Sequence, residues 1–404
     1  TTIFNRGCYG YLSKFILDDI DNNTLDRYCI TGNPGVGKSY FGILMLVELV
    51  KRNKSVLIDY EGFTACIYPN GELLEVENHD HMLYGQIAEE ENMWCIIDNV
   101  MPKFNHDLVG KFIMVSSPKK EFIERFTKAP RSETFYMPPW EIDELNECQS
   151  IIYTQIAQDS IKEKFNLCGG VARWIFDIAM TLDKIKLGIE GVLSLIDLKS
   201  LLRAQGEHFS GDRFSHKLIH IKTNENTTEN PYTKAICTFA SNFVENKCLG
   251  KIHKDHIDDL CTFIENSRDI SEIAVLREKV FEMWSHSKIC KGGEFLVRLL
   301  EKGQQVDEEY VIFEDLVKEN FDNINDIDIN KGIYYQPISK NYMSIDSYIH
   351  PNKLFQITIA DKHGVKQEKL KEYRNINILN LSNEIHLYFV IPEERFRTYK
   401  KQNY

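Results

Sequence analysis

Short apolar runs set off by polar breaks dominate the first third of the chain: RYCI (27–30), SVLIDY (55–60), MWCIID (93–98) and KFIMV (111–115). Runs this short, apolar at nearly every position, predict strands buried on both faces, as in a parallel sheet. Between the first two, YFGILMLVELVKR (40–52) has the length and composition of a helix, and Asn70-Gly71 in YPNGEL predicts a hairpin turn. Beyond ETFYMPPW (133–140) the pattern turns helical. The polar stretch HIKTNENTTENPYTK (220–234) has no period and predicts a loop or linker. From Ile270 the character changes again. ISEIAVLREKVFEMWSHSKIC (270–290) has helical periodicity, and GGEFLVRLL, YVIFE, SIDSYI, LFQITIA and IHLYFVIP predict strands. No internal repeat or low-complexity tract interrupts this order.

A chain of 404 residues exceeds what one hydrophobic core usually supports. The pattern divides it at 1–139, 140–268 and 269–404: a nucleotide-binding core, a helical lid and linker region, and a C-terminal α/β domain. No apolar run approaches the length that spans a bilayer, so a membrane partner is not expected. TTIFNRGCYGYL lacks the apolar core and cleavage site of a signal peptide, which leaves secretion history open. Ten cysteines stand singly with no CxxC pair, several inside apolar runs, which suits reduced, buried thiols in a cytosol or nucleus. The net charge of -12 counts against simple electrostatic attraction to nucleic acid, so any such contact must be local and metal-assisted.

Gly32-Asn33-Pro34-Gly35-Val36-Gly37-Lys38-Ser39 satisfies GxxxxGK[ST], with a strand before it and a helix after it. The glycines let backbone N–H groups form an anion nest at a helix N-terminus, Lys38 can reach the terminal phosphates, and the Ser39 hydroxyl can ligate Mg2+. A glycine-rich turn before a helix is the bland alternative. Asp98, at the end of the 93–98 run, is placed to bring a carboxylate to the same magnesium ion. Asn99 stands where many ATPases carry a glutamate that polarises water, so hydrolysis is expected to be slow or to borrow a base such as Glu61. KFIMVSSP ends in Ser116 and Ser117, positioned like the polar sensor of ATPases that insert a strand between the P-loop and acid strands; an ordinary turn fits equally. Arg173, after the Gly169-Gly170 break in CGGVARWI, can report the γ-phosphate from a lid helix or simply face solvent.

A helix followed by a small mixed sheet is also the layout of a restriction-endonuclease-like core, where acids and a lysine converge on a metal beside the scissile phosphate. Asp346 falls on the first strand of that pattern and Glu282 on the helix. Gln356 and Thr358 occupy the places of the acid and lysine on the second strand. A glutamine carbonyl can ligate Mg2+ as a neutral oxygen. The lysine is expected to have moved to Lys366 rather than Lys362, which flanks His363 from the other side.

Taken in order, the P-loop, MVSSPKKEF, YMPPWEIDEL, CGGVARWI, LREKVFEMWSH, GGEFLVRLL, YYQPISKNYMSIDSYI, LFQITIADKHGVK and LYFVIPEERFRTYKKQ resemble the Crinkler effectors and the related retrotransposon hot spot proteins of trypanosomes. The resemblance covers nearly the whole chain. It implies an AAA/STAND-like P-loop NTPase, a parallel sheet with a helical lid, fused to a PD-(D/E)xK nuclease that acts on nucleic acid, double-stranded DNA foremost, in the nucleus of a host or parasite cell. It further implies ATP or GTP and Mg2+ as cofactors, with self-association left open. Carried onto this sequence, the NTPase residues are Gly32, Gly37, Lys38, Ser39, Asp98 and Arg173; the nuclease residues are Glu282, Asp346, Gln356 and Lys366. Two departures stand out. Ala172 replaces the proline common in GGVAR, and the translocation header of oomycete members is absent.

Three readings therefore compete: a nucleotide-dependent, Mg2+-requiring nuclease; a nucleotide-switched DNA- or host-target-binding effector with a degenerate nuclease core; and a P-loop small-molecule kinase. The SSP strand, the glycine-broken lid helix and the C-terminal domain have no place in the last.

Overall fold

The computed structural model describes residues 2–77, 81–88, 90, 93–100, 110–118, 120–195, 216–255, 257–300, 308–323, 332–338, 345–360 and 385–400. The chain forms two compact units, Thr1–Ile252 with Asp269–Val275, and His253–Arg268 with Leu276–Tyr404.

The first unit opens with helix α1 (Gly7–Asn22), then β1 (Arg27–Thr31), α2 (Lys38–Lys51), β2 (Ser55–Tyr60), β3 (Phe63–Ile67), β4 (Leu73–Glu75), α3 (His81–Ala88), β5 (Met93–Asp98), β6 (Lys111–Val115), α4 (Lys120–Thr127) and β7 (Ser132–Tyr136). These strands make one sheet in the order β4-β3-β2-β5-β6-β1-β7. The neighbours from β2 to β7 run parallel, while β3 lies antiparallel to β2 and β4 antiparallel to β3. The continuous apolar runs become strands because both faces are covered: β1 and β5 are buried at every position. Leu57, Cys95, Ile97 and Met114 pack with Tyr84 and Ile87 of α3 and Phe126 of α4 on one face. On the other face Gly42 of α2 comes so close that a Cβ there would lie 3.6 Å from Ile96 and Val115. The Asn70-Gly71 turn joins β3 to β4, with Gly71 at φ +86 and its N–H donating to Tyr68 O at 2.9 Å.

Past this sheet come α5 (Ile142–Ile151), α6 (Gln158–Cys168), the single turn α7 (Ala172–Ile175) and α8 (Leu182–Leu195), which form a helical layer. The segment expected to be a loop or linker instead borders a hairpin of β8 (Ile219–Thr223) and β9 (Ala235–Phe239), so only 224–234 is connection. Helix α9 (Asn242–Asp255) follows. Only the HIKT end of that stretch belongs to β8, too short an alternation to stand out from the polar connection that follows.

The second unit contains α10 (Ile257–Asn266), α11 (Ala274–Cys290), a ribbon of β10 (Gly293–Arg298) and β11 (Glu308–Phe313), and a five-stranded mixed sheet. That sheet runs β12 (Val317–Phe321), β13 (Ile333–Pro337), β14 (Ser347–Ile349), β15 (Lys353–Ile357) and β16 (His386–Val390), with the two outer pairs parallel and the inner pairs antiparallel. Ile289 of α11, Phe313 of the ribbon and Tyr334, Ile349 and Phe355 of the sheet form its core. All ten cysteines are free, eight of them buried, as their scattering predicts. No described helix is long and apolar enough to cross a membrane.

Candidate functional site

The loop between β1 and α2 takes left-handed turns at Gly35 (φ +82) and Gly37 (φ +108), a region that strains any residue with a Cβ. Space is also short. A Cβ on Gly35 would lie 2.8 Å from Arg173 Cβ, one on Gly32 would run into Met137 O, and one on Gly37 into the Tyr9 hydroxyl. The loop ends at the N-terminus of α2, with Gly37 as the cap residue and Lys38 and Ser39 in the first turn.

Nearly every carbonyl of this loop is held from behind. Lys38 Nζ donates to Gly32 O and Asn33 O, both at 2.8 Å. The Arg173 N–H donates to Gly35 O at 3.2 Å. Val36 O accepts from Trp140 Nε1 at 2.8 Å and from an Arg6 guanidinium nitrogen at 3.1 Å. Gly37 O accepts from the Tyr9 hydroxyl at 2.6 Å. Asn33, fully buried, uses its amide to hold the hairpin: Nδ2 donates to Ile219 O at 3.0 Å, and Oδ1 accepts the Ile221 N–H at 2.7 Å. Pro34 makes no such bond through nitrogen, having no N–H to give.

Asp98 lies on β5 opposite Val115 of β6, and Val115 lies opposite Ile30 of β1, so one strand separates the P-loop strand from the acid strand. This is the inserted strand that KFIMVSSP predicts. Ser116 follows it, fully buried, with its N–H on Ile30 O at 3.0 Å, but its hydroxyl donates to Ser117 O at 2.9 Å rather than towards the loop. Asp98 is 8% exposed. Burial raises its pKa against the pull of the Ser39 hydroxyl and of Lys38. Lys38, 7% exposed, is drawn down to about 7, first by burial, with Asp98 opposing and Arg173 adding to the fall. Lys38, Ser39, Asp98 and Arg173 are thus in one electrostatic neighbourhood. Hydroxyl and carboxylate oxygens suit Mg2+, and a cradle that a Cβ would fill suits a phosphate chain. Asn99 is exposed at φ +56, and Glu61 is exposed in the turn after Tyr60, the partner of Asp98 in β2.

Sequence reasoning missed Arg6, Tyr9, Trp140 and His216. Arg6, 1% exposed, stacks its guanidinium 4.5 Å from the Trp140 ring and pairs with Glu144 at 2.8 Å. His216 is pulled down to about 4 by burial and by the charge of Lys38. None of these four lies in a spacing that sequence alone would flag, although Trp140 sits inside the quoted YMPPWEIDEL stretch.

In the second unit, Glu282 of α11 pairs with Lys279 at 2.7 Å and has His286 Nε2 at 4.0 Å one turn on. His286 is buried between the Tyr334 hydroxyl (2.5 Å from Nδ1) and Gln336 Nε2 (3.1 Å from Nε2), and burial draws it down to about 3. Just before β14, Asp346 sends its N–H to Phe355 O at 2.9 Å, and its Oδ2 accepts the Ile357 N–H at 2.6 Å. Burial lifts its pKa to about 6, opposed by the Ile357 N–H and helped by the charge of Glu282. The Asp346 carboxyl thus feels the charge of Glu282. Gln356, next to the backbone group that grips Asp346, is 3% exposed with its Oε1 unpaired. β15 stops at Ile357; Thr358 is fully buried and turns to accept the Ala360 N–H at 3.0 Å, so it cannot serve as a long cation. Lys362, His363 and Lys366 lie outside the described residues. Among the described residues, no group of three His, Cys, Asp or Glu is arranged to hold a metal ion. Oxygen donors from Glu282, Asp346 and Gln356 nonetheless suit a hard cation.

No family model matches the chain. It is 23% identical, over 410 aligned positions, to Crinkler effector protein 15 of Phytophthora infestans and equally to Crinkler effector protein 16 of that organism. Each alignment covers 99% of this chain and 64% of the relative, so the chain spans under two thirds of the curated relatives' length. These alignments support the resemblance to the Crinkler effectors. Among solved structures, the Thermotoga maritima RuvB Holliday junction branch migration motor is 14% identical with a TM-score of 0.28, over 73% of this chain and 89% of that one. A signal transduction ATPase with numerous domains from Pyrococcus horikoshii, bearing a tetratricopeptide repeat sensor, is 12% identical with a TM-score of 0.24, over 67% and 52%. Scores this low carry no weight for function.

Proposed function

We propose that the first unit binds and hydrolyses ATP or GTP with Mg2+, and that nucleotide state gates a Mg2+-requiring nuclease centre in the second. The observation that carries the first half is the neighbourhood of Lys38, Ser39 and Asp98 beside a glycine loop with no room for a Cβ. In this reading Ser39 and Asp98 hold the ion, Lys38 and the loop residues Gly32 to Gly37 hold the phosphates, and Arg173 answers to the γ-phosphate. Bound magnesium would supply charge neutralisation at the terminal phosphates. Asn99 contributes no base, so turnover is expected to be slow.

The nuclease half rests on the charge of Glu282 felt at Asp346 and on Gln356 Oε1, buried and unpaired among the described residues. A buried acceptor without a donor is costly, and a cation would satisfy it. Lys366 remains the proposed lysine, and double-stranded DNA in the nucleus of a host cell the proposed setting. A second reading is favoured by Gln356 and Thr358 standing where an acid and a lysine are expected: a nucleotide-switched DNA- or host-target-binding effector with a degenerate core.

Plasmid incubated with the chain and Mg2+, with and without ATP or GTP, separates the two. Cleavage that disappears in Glu282→Ala and Asp346→Ala while nucleotide turnover persists supports the nuclease. Turnover with intact plasmid in every lane refutes it and leaves the switch.

A further inference from the structure

We propose that Arg6, Tyr9 and Trp140 clamp the P-loop in its phosphate-binding shape, so that the N-terminal helix and the start of α5 set affinity for the phosphate chain whatever base is attached. This rests on the P-loop reading above. A trans peptide unit is planar, with C=O and the following N–H pointing in opposite directions. Holding a carbonyl on one side of the loop therefore aims the next N–H to the other. The Tyr9 hydroxyl on Gly37 O, together with the first α2 bond from the Phe41 N–H (3.2 Å), aims the Lys38 N–H; Arg6 and Trp140 on Val36 O aim the Gly37 N–H. These are the amides at the mouth of α2, where an anion gains most from the helix terminus.

The clamp is itself braced. Arg6 spends its remaining donors on Pro138 O (3.1 Å), Pro139 O (3.3 Å) and the Glu144 carboxylate, so it cannot leave Val36 without stranding a buried charge. Gly37 has no room for a Cβ because the Tyr9 hydroxyl occupies that space. Tyr9 and Trp140 touch no phosphate position themselves. Both act through the loop backbone and are positioning residues.

The test is isothermal titration of Mg2+-ATP, Mg2+-GTP and Mg2+-tripolyphosphate into the full chain, with urea unfolding alongside. Tyr9→Phe and Trp140→Phe each remove one hydrogen bond and should weaken all three ligands by the same factor, about 3- to 10-fold. Tyr28→Phe is the control: its hydroxyl bonds Asp19 of α1, away from the loop, so it should lower stability and leave affinity unchanged. Wild-type affinity in both Tyr9→Phe and Trp140→Phe overturns the clamp, as does a loss confined to ATP and GTP, which would mark a contact with the base. A wild-type chain that binds none of the three refutes the P-loop reading itself, a result distinct from either.

Discussion

Asn33 and Ile221 hold one another across 188 residues of chain, the Ile221 N–H donating to Asn33 Oδ1 at 2.7 Å while Asn33 Nδ2 reaches Ile219 O. A residue of the phosphate loop thereby supplies the edge pairing of β8. Asn33→Ala should strand a buried donor and a buried acceptor, lowering unfolding stability of the first unit by roughly 2 kcal/mol or more. Asn33→Asp should be worse, since a carboxylate would face Ile219 O with no hydrogen to give. Urea midpoints equal to wild type would show that the hairpin is held otherwise.

Lys38→Ala should weaken nucleotide binding by roughly 10- to 150-fold, the range for a hydrogen bond to a charged group. A titration with fluorescent nucleotide checks it. The pH dependence follows from the same residue. Lys38 loses its proton near 7 in the nucleotide-free protein, and a bound phosphate chain would restore the charged form towards its ordinary value of about 10.4. Between those values binding must take up a proton, so affinity should fall as pH rises from 7 to 9. Calorimetry at pH 8 in buffers of different ionisation enthalpy measures the uptake, which Lys38→Ala should abolish.

Asp98→Ala should slow hydrolysis by roughly 100-fold or more while changing nucleotide affinity far less, because its target is the metal that stabilises developing charge. Equal turnover in the variant would put the metal-holding acid elsewhere.

Asp346 is protonated up to about pH 6 when folded, whereas an unfolded aspartate ionises near 3.9. Between those values the folded state binds more protons than the unfolded state, so stability falls as pH rises through the window. Asp346→Asn keeps an acceptor for the Ile357 N–H and removes the charge. It should flatten the pH 4 to 6 slope of the urea midpoint for the second unit and raise stability at pH 7. An unchanged slope would show that Asp346 does not carry it.

The central strands β1, β2, β5 and β6 were legible at the level of sequence because they are buried at half their positions or more, β1 and β5 at every one, and burial writes itself locally as a continuous apolar run. The P-loop was legible for a related reason: its glycines, lysine and serine must stand at fixed offsets to shape one turn. Asp98 could be found because it ends such a run. The strand inserted beside it, β6, could be found because the chain runs KFIMV shortly afterwards. In the second unit α11, β10, β11, β14, β15 and β16 were legible, whereas β12 and β13 lie in stretches not read as strands. The hairpin at 219–239 was not, since besides β9 the strand β8 is held by the Asn33 side chain, 186 to 188 residues away.

Tertiary structure alone decided which donors hold the phosphate loop. Arg6, Tyr9 and Trp140 reach Val36 and Gly37 across 28 to 104 residues, and bonds of that separation obey no period along the chain. Their side chains look like ordinary core aromatics and a helix-entry arginine until closure of the fold brings them behind the loop. The same holds for the depressed Lys38 and the raised Asp346, because a pKa answers to burial and neighbouring charge, and both are properties of the packed molecule. Spacing along the chain wrote the P-loop pattern; packing determined which side chains hold its carbonyls.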